Sequence, residues 1–320
     1  MKTLKKIVFV FGLLTIGILL LNAYQGKFDK KNNETNEATD SSQNVSVIST
    51  PQTEDDKSYA IYALDIPQDL TFAGEQVPLS DQEVFERVDR EFLVNTYWQS
   101  NGLLLFKRAN KYFPIIEPIL AENGVPDDFK YLAVIESGLQ NVTSPAGAKG
   151  FWQIMRATGK ELGLEVNSNV DERYHLEKAT EAACTYLKRA KNKFGSWTLA
   201  AAAYNAGNGR VSKELEKQQV ANYYDLLLTS ETARYVPRLL ALKYILSNPK
   251  EYGFHFQQKH LYNPEVTKSV MIDSTITNLS IFAQKQGINY KQLKMINPWL
   301  RQNTLNNASK KEYQILIPAK

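Results

Sequence analysis

Glu136 is a carboxylate at a position that helix geometry reserves for an apolar side chain. Residues 125–138 read VPDDFKYLAVIESG. Pro126, Asp127 and Asp128 suit a helix start, and Gly138 suits its stop. Phe129, Leu132 and Ala133 fall at i, i+3 and i+4, one face of that helix, and position 136 is i+7 on the same face. Desolvation raises a carboxyl pKa, and a carboxyl protonated near neutral pH can act as a general acid. A partly buried structural glutamate, capped by a local hydrogen bond, fits the same pattern.

Three further blocks follow. Ser144-Pro145-Ala146-Gly147-Ala148-Lys149-Gly150 is a small-residue loop, after which Phe151-Trp152-Gln153-Ile154-Met155 is expected to enter a helix ending near Gly159 or Gly163. Ala203-Tyr204-Asn205-Ala206-Gly207 closes an alanine run, and Glu231-Thr232-Ala233-Arg234-Tyr235-Val236-Pro237 comes last. In this order the blocks resemble the lytic transglycosylases of the soluble-lytic-transglycosylase, goose-lysozyme-like class, and most of all its membrane-bound D branch. That pattern runs Glu-Ser, Gly-Ala-x-Gly-Leu-Trp-Gln, Ala-Tyr-Asn-Ala-Gly and a late Tyr. Two departures stand out: Glu136 and Ser144 are one position closer than usual, and Phe151 replaces Leu.

The resemblance implies a mainly α, lysozyme-like catalytic domain and a peptidoglycan substrate. It implies non-hydrolytic cleavage of the MurNAc-GlcNAc β-1,4 bond to 1,6-anhydro-muramic ends. Glu136 would serve as general acid and then base, with no cofactor and no metal. Ser144, Gln153, Tyr204, Asn205 and Tyr235 would bind substrate, the amides meeting acetamido groups and the tyrosines offering hydroxyls or ring faces. Glycosidases ordinarily use two carboxylates about 5–9.5 Å apart; no second acid is assigned within the blocks, and Asp171 and Glu172, in a Val-Asp-Glu-Arg stretch that the sequence does not place, are the other acids considered. A hydrolase of the same fold and a non-catalytic wall-binding protein are the alternatives. Trp152 is assigned to the core. His175, His255 and His260 do not cluster with Cys184 or with paired acids, so no metal site is expected.

The elements around these blocks form a modular chain of 320 residues, 43% hydrophobic and 22% charged. A net charge of +4 is too small to argue for nucleic acid. A single cysteine rules out a disulfide framework. Residues 1–24 carry three lysines and then eighteen uncharged residues, the pattern of a membrane anchor or an export signal. The bulk of the chain is therefore expected on the periplasmic side of the cell envelope, held through this segment. Residues 25–58 are polar and read as a disordered linker. Residues 59–255 read as the catalytic domain. Within it a capping box at 80–83 precedes a helix, residues 177–194 form an amphipathic helix, and 197–205 is buried on most sides. Residues 232–247 read as one helix. Residues 266–320 read as strand (266–272), helix (276–286), helix (290–296) and strand (313–318). This βααβ order resembles the LysM glycan-binding module, here with a basic surface. The chain is expected to act as a monomer.

Overall fold

The computed structural model describes residues 61–319. The expected anchor and the expected linker both lie outside the described residues. Among the described residues no helix is long and apolar enough to cross a membrane. The mainly helical body followed by a βααβ module is the architecture expected.

The body opens with a two-stranded hairpin, β1 (Thr71–Phe72) and β2 (Glu75–Gln76). Its turn is Ala73-Gly74, both at positive φ, the backbone twist that suits a tight hairpin. Helix α1 (Gln82–Tyr97) follows, and α2 (Gln99–Glu122) after it. The cap of α1 is Asp81, which accepts from the amides of Glu83 and Val84; this simple cap stands in place of the expected box starting at Ser80.

A 3-10 turn, Asp127–Phe129, leads into α3 (Lys130–Ser137), which ends on Gly138 in the left-handed conformation. Asp128 does not cap this helix. Its carboxylate accepts instead from the Ala73 amide and from Lys243, tying the hairpin to the body. Helix α4 (Arg156–Glu161) starts later than expected. Residues 151–153 are turns, because the amide and carbonyl of Ile154 are both taken by Lys149 and Gln153 stands at φ 46°. That geometry cannot continue a right-handed helix.

Helices α5 (Leu176–Phe194) and α6 (Trp197–Ala206) pack together at the centre. Thr198, Leu199 and Ala200 through Ala203 are all buried, and small side chains let α5 approach closely. Helix α7 (Asn208–Gln218) follows. The expected helix over 232–247 is two: α8 (Ser230–Ala233) and α9 (Tyr235–Ser247), broken at Arg234. Pro237 explains the break. In one continuous helix its ring would meet the carbonyl of Ala233, and it has no amide to bond there.

The module pairs β3 (Thr267–Ile272) antiparallel with β4 (Tyr313–Pro318), from Thr267↔Pro318 to Ile272↔Tyr313. Between them lie α10 (Leu279–Lys285) and α11 (Tyr290–Ile296). Helix α10 is shorter than expected because Asn278 caps it, and Ile276 bridges Leu305 instead. Alternate residues of β4, Tyr313, Ile315 and Ile317, point into a core with Leu279, Leu293 and Leu300. Val170 and Tyr174 of the body complete that same core. The Asp171 amide donates to the Trp299 carbonyl (2.9 Å), and the Arg301 amide to the Asn169 carbonyl (2.8 Å). The module is therefore seated on residues 165–175 by a shared apolar core and backbone bonds.

Gly150 sits against that seat. It has φ +81°, and a Cβ there would lie 1.9 Å from the Arg173 carbonyl oxygen. The left-handed conformation alone costs a non-glycine residue about 1–2 kcal/mol, and the clash adds to it. Gly150→Ala is expected to lower Tm by at least about 5 °C. A melt within a degree of wild type would show that the segment yields easily.

Candidate active site

Glu136 lies in the last turn of α3, half-buried, two residues beyond a run in which Tyr131 through Val134 are buried. The Tyr235 hydroxyl, from the first turn of α9, donates to Glu136 Oε1. Burial pushes the Glu136 carboxyl up to about 7; the Tyr235 bond and the Arg238 charge oppose the rise, and the Glu231 charge adds to it. Burial, reinforced by the Glu136 charge, holds the Tyr235 hydroxyl well above its ordinary range, so it stays a donor.

Tyr204 is held likewise, by burial first and then the same carboxylate. Its hydroxyl donates to the Trp152 carbonyl (2.7 Å) and its ring meets Tyr186 edge-on. Trp152 is fully buried, its indole N–H donating to Thr180, which settles it as core. A cavity of about 300 Å³ is lined by Gln153, Met155, Tyr186, Tyr204, Asn205 and Gly207. It brings together three of the six singled-out residues. Glu136 and Tyr235 form a second group, joined to the first through the charge of Glu136 on Tyr204.

The amides are engaged as well as placed. Gln153 Nε2 donates to the Gly150 carbonyl (2.7 Å) and the Val142 carbonyl (3.2 Å). Asn205 Nδ2 donates to Glu231 (3.0 Å), while its Oδ1 accepts from Thr232 (2.7 Å). Ser144 Oγ accepts from the Ala148 amide (3.0 Å) and so closes its own loop rather than meeting the acid. The serine beside the acid is Ser137, which donates to the Phe151 carbonyl (2.8 Å) and binds the end of α3 to the loop.

Glu231, which lies in the last of the four blocks and carries no expected role, acts by its charge on Glu136 across a chain separation that no spacing rule connects. Asp171 and Glu172 prove to be elsewhere in role. They pair with Arg173 and Lys149, and with Lys178 and Lys311, under the module. Glu91, also unsuspected, is buried against Arg90, Arg234 and Arg238 and fixes α9 to α1.

The shifted carboxyl makes stability depend on pH with a definite sign. Glu136 titrates near 7 in the folded chain and near 4.5 when unfolded. Between those values the folded state holds the extra proton, so stability from this group is full below pH 4.5 and is lost as pH rises through 7. Glu136→Gln is expected to match wild type near pH 4 and to exceed it at pH 8 by about 2–3 kcal/mol in denaturant unfolding. An equal gap at both pH values would count against the shift.

Residues 113–227 match the family described as Transglycosylase SLT domain, and residues 268–320 match the soluble lytic transglycosylase C-terminal LysM-like domain. Glu136, Ser144, Gln153, Tyr204 and Asn205 fall inside the first match; Tyr235 falls after it. The chain is 32% identical, over 219 residues, to the membrane-bound lytic murein transglycosylase D of Escherichia coli strain K12, covering 67% of this chain and 47% of that protein. It thus spans about half the length of the curated relative it matches. Among solved structures, the 70 kDa soluble lytic transglycosylase of Escherichia coli aligns at 24% identity with a TM-score of 0.37, over 48% of this chain and 27% of that one. The Pseudomonas aeruginosa lytic transglycosylase Slt aligns at 21% with the same score, over 48% and 26%. By these matches the chain carries a region similar to the transglycosylase SLT domain, followed by one similar to the soluble lytic transglycosylase C-terminal LysM-like domain.

Proposed function

We propose that the chain is a lytic transglycosylase that cleaves the β-1,4 bond between N-acetylmuramic acid and N-acetylglucosamine in peptidoglycan. The observation that carries the reading is the half-buried Glu136, poised near 7 and bonded by Tyr235. Protonated Glu136 gives its proton to the leaving glycosidic oxygen as the C1–O bond breaks. The resulting carboxylate takes the proton of the 6-hydroxyl as that oxygen closes on C1. The glutamate is regenerated, no water is consumed, and the product ends in a 1,6-anhydro sugar. A pKa near working pH suits a group that must act in both directions. Tyr235 steadies the carboxylate between the two transfers. Gln153 and Asn205 line the cavity where acetamido groups would lie, Tyr204 offers a ring edge, and Ser144 shapes the loop. The LysM-like module holds the chain to the wall, and residues 1–24 tether it at the outer face of the cytoplasmic membrane.

Glu231 favours one rival, a hydrolase in which it would serve as the second carboxylate. Product analysis and one substitution separate the two. With purified peptidoglycan, anhydro-muramic ends are expected, and Glu136→Gln is expected to lose at least about 10²–10⁴-fold in rate. Glu231→Gln is expected to keep turnover but to move the basic limb of the pH profile downward, because the charge that raises Glu136 is gone. Free reducing ends, with Glu231→Gln as inactive as Glu136→Gln, would instead identify a hydrolase.

A further inference from the structure

We propose that Arg173 is a positioning residue for the loop of residues 141–154, and that the module's seat and this loop form one mechanical unit. Arg173 is 3% exposed. Its Nε and Nη2 grip both oxygens of Asp171, at 2.9 and 2.8 Å. That fork fixes the guanidinium plane and aims Nη1 at the Gly147 carbonyl (3.3 Å) and the Ile154 carbonyl (3.2 Å). A planar, pre-organised donor set is what arginine supplies and lysine does not.

Neighbouring groups grip the same loop. Tyr174 accepts from Asn141 at its carbonyl (3.3 Å) and shares a hydrogen bond with Thr143 at its hydroxyl (2.8 Å). Lys149 approaches Asp171 (3.7 Å) and lies over the Tyr174 ring. Gly150 touches the Arg173 backbone so closely that no side chain fits. The loop so held carries Ser144 and Gln153, and its Phe151 and Trp152 carbonyls receive Ser137 and Tyr204.

The other side of the same few residues bears the module. Asp171 donates its amide to Trp299, the Arg301 guanidinium lies 4.2 Å from the centre of the Tyr174 ring, and the His175 ring stacks on Trp299. Residues 171–175 are therefore a hinge plate with the wall-binding module on one face and the loop on the other. Loosening Arg173 frees the loop while leaving Glu136 and Tyr235, which belong to α3 and α9, in place.

The activity readout rests on the transglycosylase reading; a second readout does not. Arg173→Lys is compared with wild type on soluble uncrosslinked peptidoglycan strands and in timed trypsin digestion, following the Lys149–Gly150 bond by mass spectrometry. The expected result is a KM raised between about tenfold and a hundredfold, kcat within about threefold, an unmoved pH midpoint, and faster cleavage after Lys149. Unchanged KM with unchanged cleavage would overturn the role. So would a fall in kcat with a moved pH midpoint, since Arg173 would then act on the acid. Asp171→Asn, which leaves the guanidinium and loosens its fork, is expected to shift KM and cleavage in the same direction. Failure of both variants to fold would assign Arg173 to the core and overturn positioning. No turnover by wild type would sink the transglycosylase reading, while cleavage after Lys149 would still decide whether Arg173 holds the loop.

Discussion

A hydrogen bond between two groups separated by nearly a hundred residues governs the site: the Tyr235 hydroxyl on the Glu136 carboxylate. Burial raises the cost of charge on Glu136, and the bond lowers it again. The balance leaves the carboxyl near 7 instead of at either extreme. The bond depends on where α9 begins. Pro237 forces the helix to restart after Arg234, and the restart brings Tyr235 to the end of α3. Buried Glu91 then clamps Arg234 and Arg238 so that this start cannot drift. Removing one partner of a buried ion pair leaves a charge without compensation, which is why such clamps hold geometry well even where they add little net stability.

A second constraint comes from the loop. Backbone at positive φ in Gly147, Gly150 and Gln153 gives it a tightly turned shape that is neither helix nor extended strand. Buried carbonyls need donors, and Arg173 supplies them from outside to Gly147 and Ile154. The residues that seat the module thus also hold the loop that carries Gln153 of the cavity. Val170 and Tyr174 complete the module's core, so the module is not a bead on a string.

Much of the helical body was legible because its signals are local. The amphipathic stripe of α5, the alanine run of α6 and the Gly138 stop each require only short-range pattern. Glu136 stood out because a charged residue broke an apolar face. Tyr235 entered through resemblance, and its direct bond to the acid needed the fold. What was not legible has physical reasons. The segment 151–155 is apolar enough for a helix, yet Ile154 spends its backbone groups on Lys149. Asp128 looked like a cap and instead bridges distant elements. Arg173 lies in a charged stretch; the Gly147 and Ile154 carbonyls that receive its guanidinium come near it only in the fold. Glu231 influences Glu136 through space, and no periodicity links them.

The most direct test of the site is the titration of Glu136 itself. With the glutamate carboxyls isotopically labelled, the spectrum of Glu136→Gln subtracted from wild type isolates one carboxyl, followed by infrared or carbon-13 signals across pH 3–9. A single carboxyl titrating near 7, moved upward in Tyr235→Phe because the stabilising donor is lost, is the expected result. Titration near the ordinary 4.5 would contradict it: Glu136 would then be an ordinary exposed carboxylate, charged at neutral pH and without a proton to give.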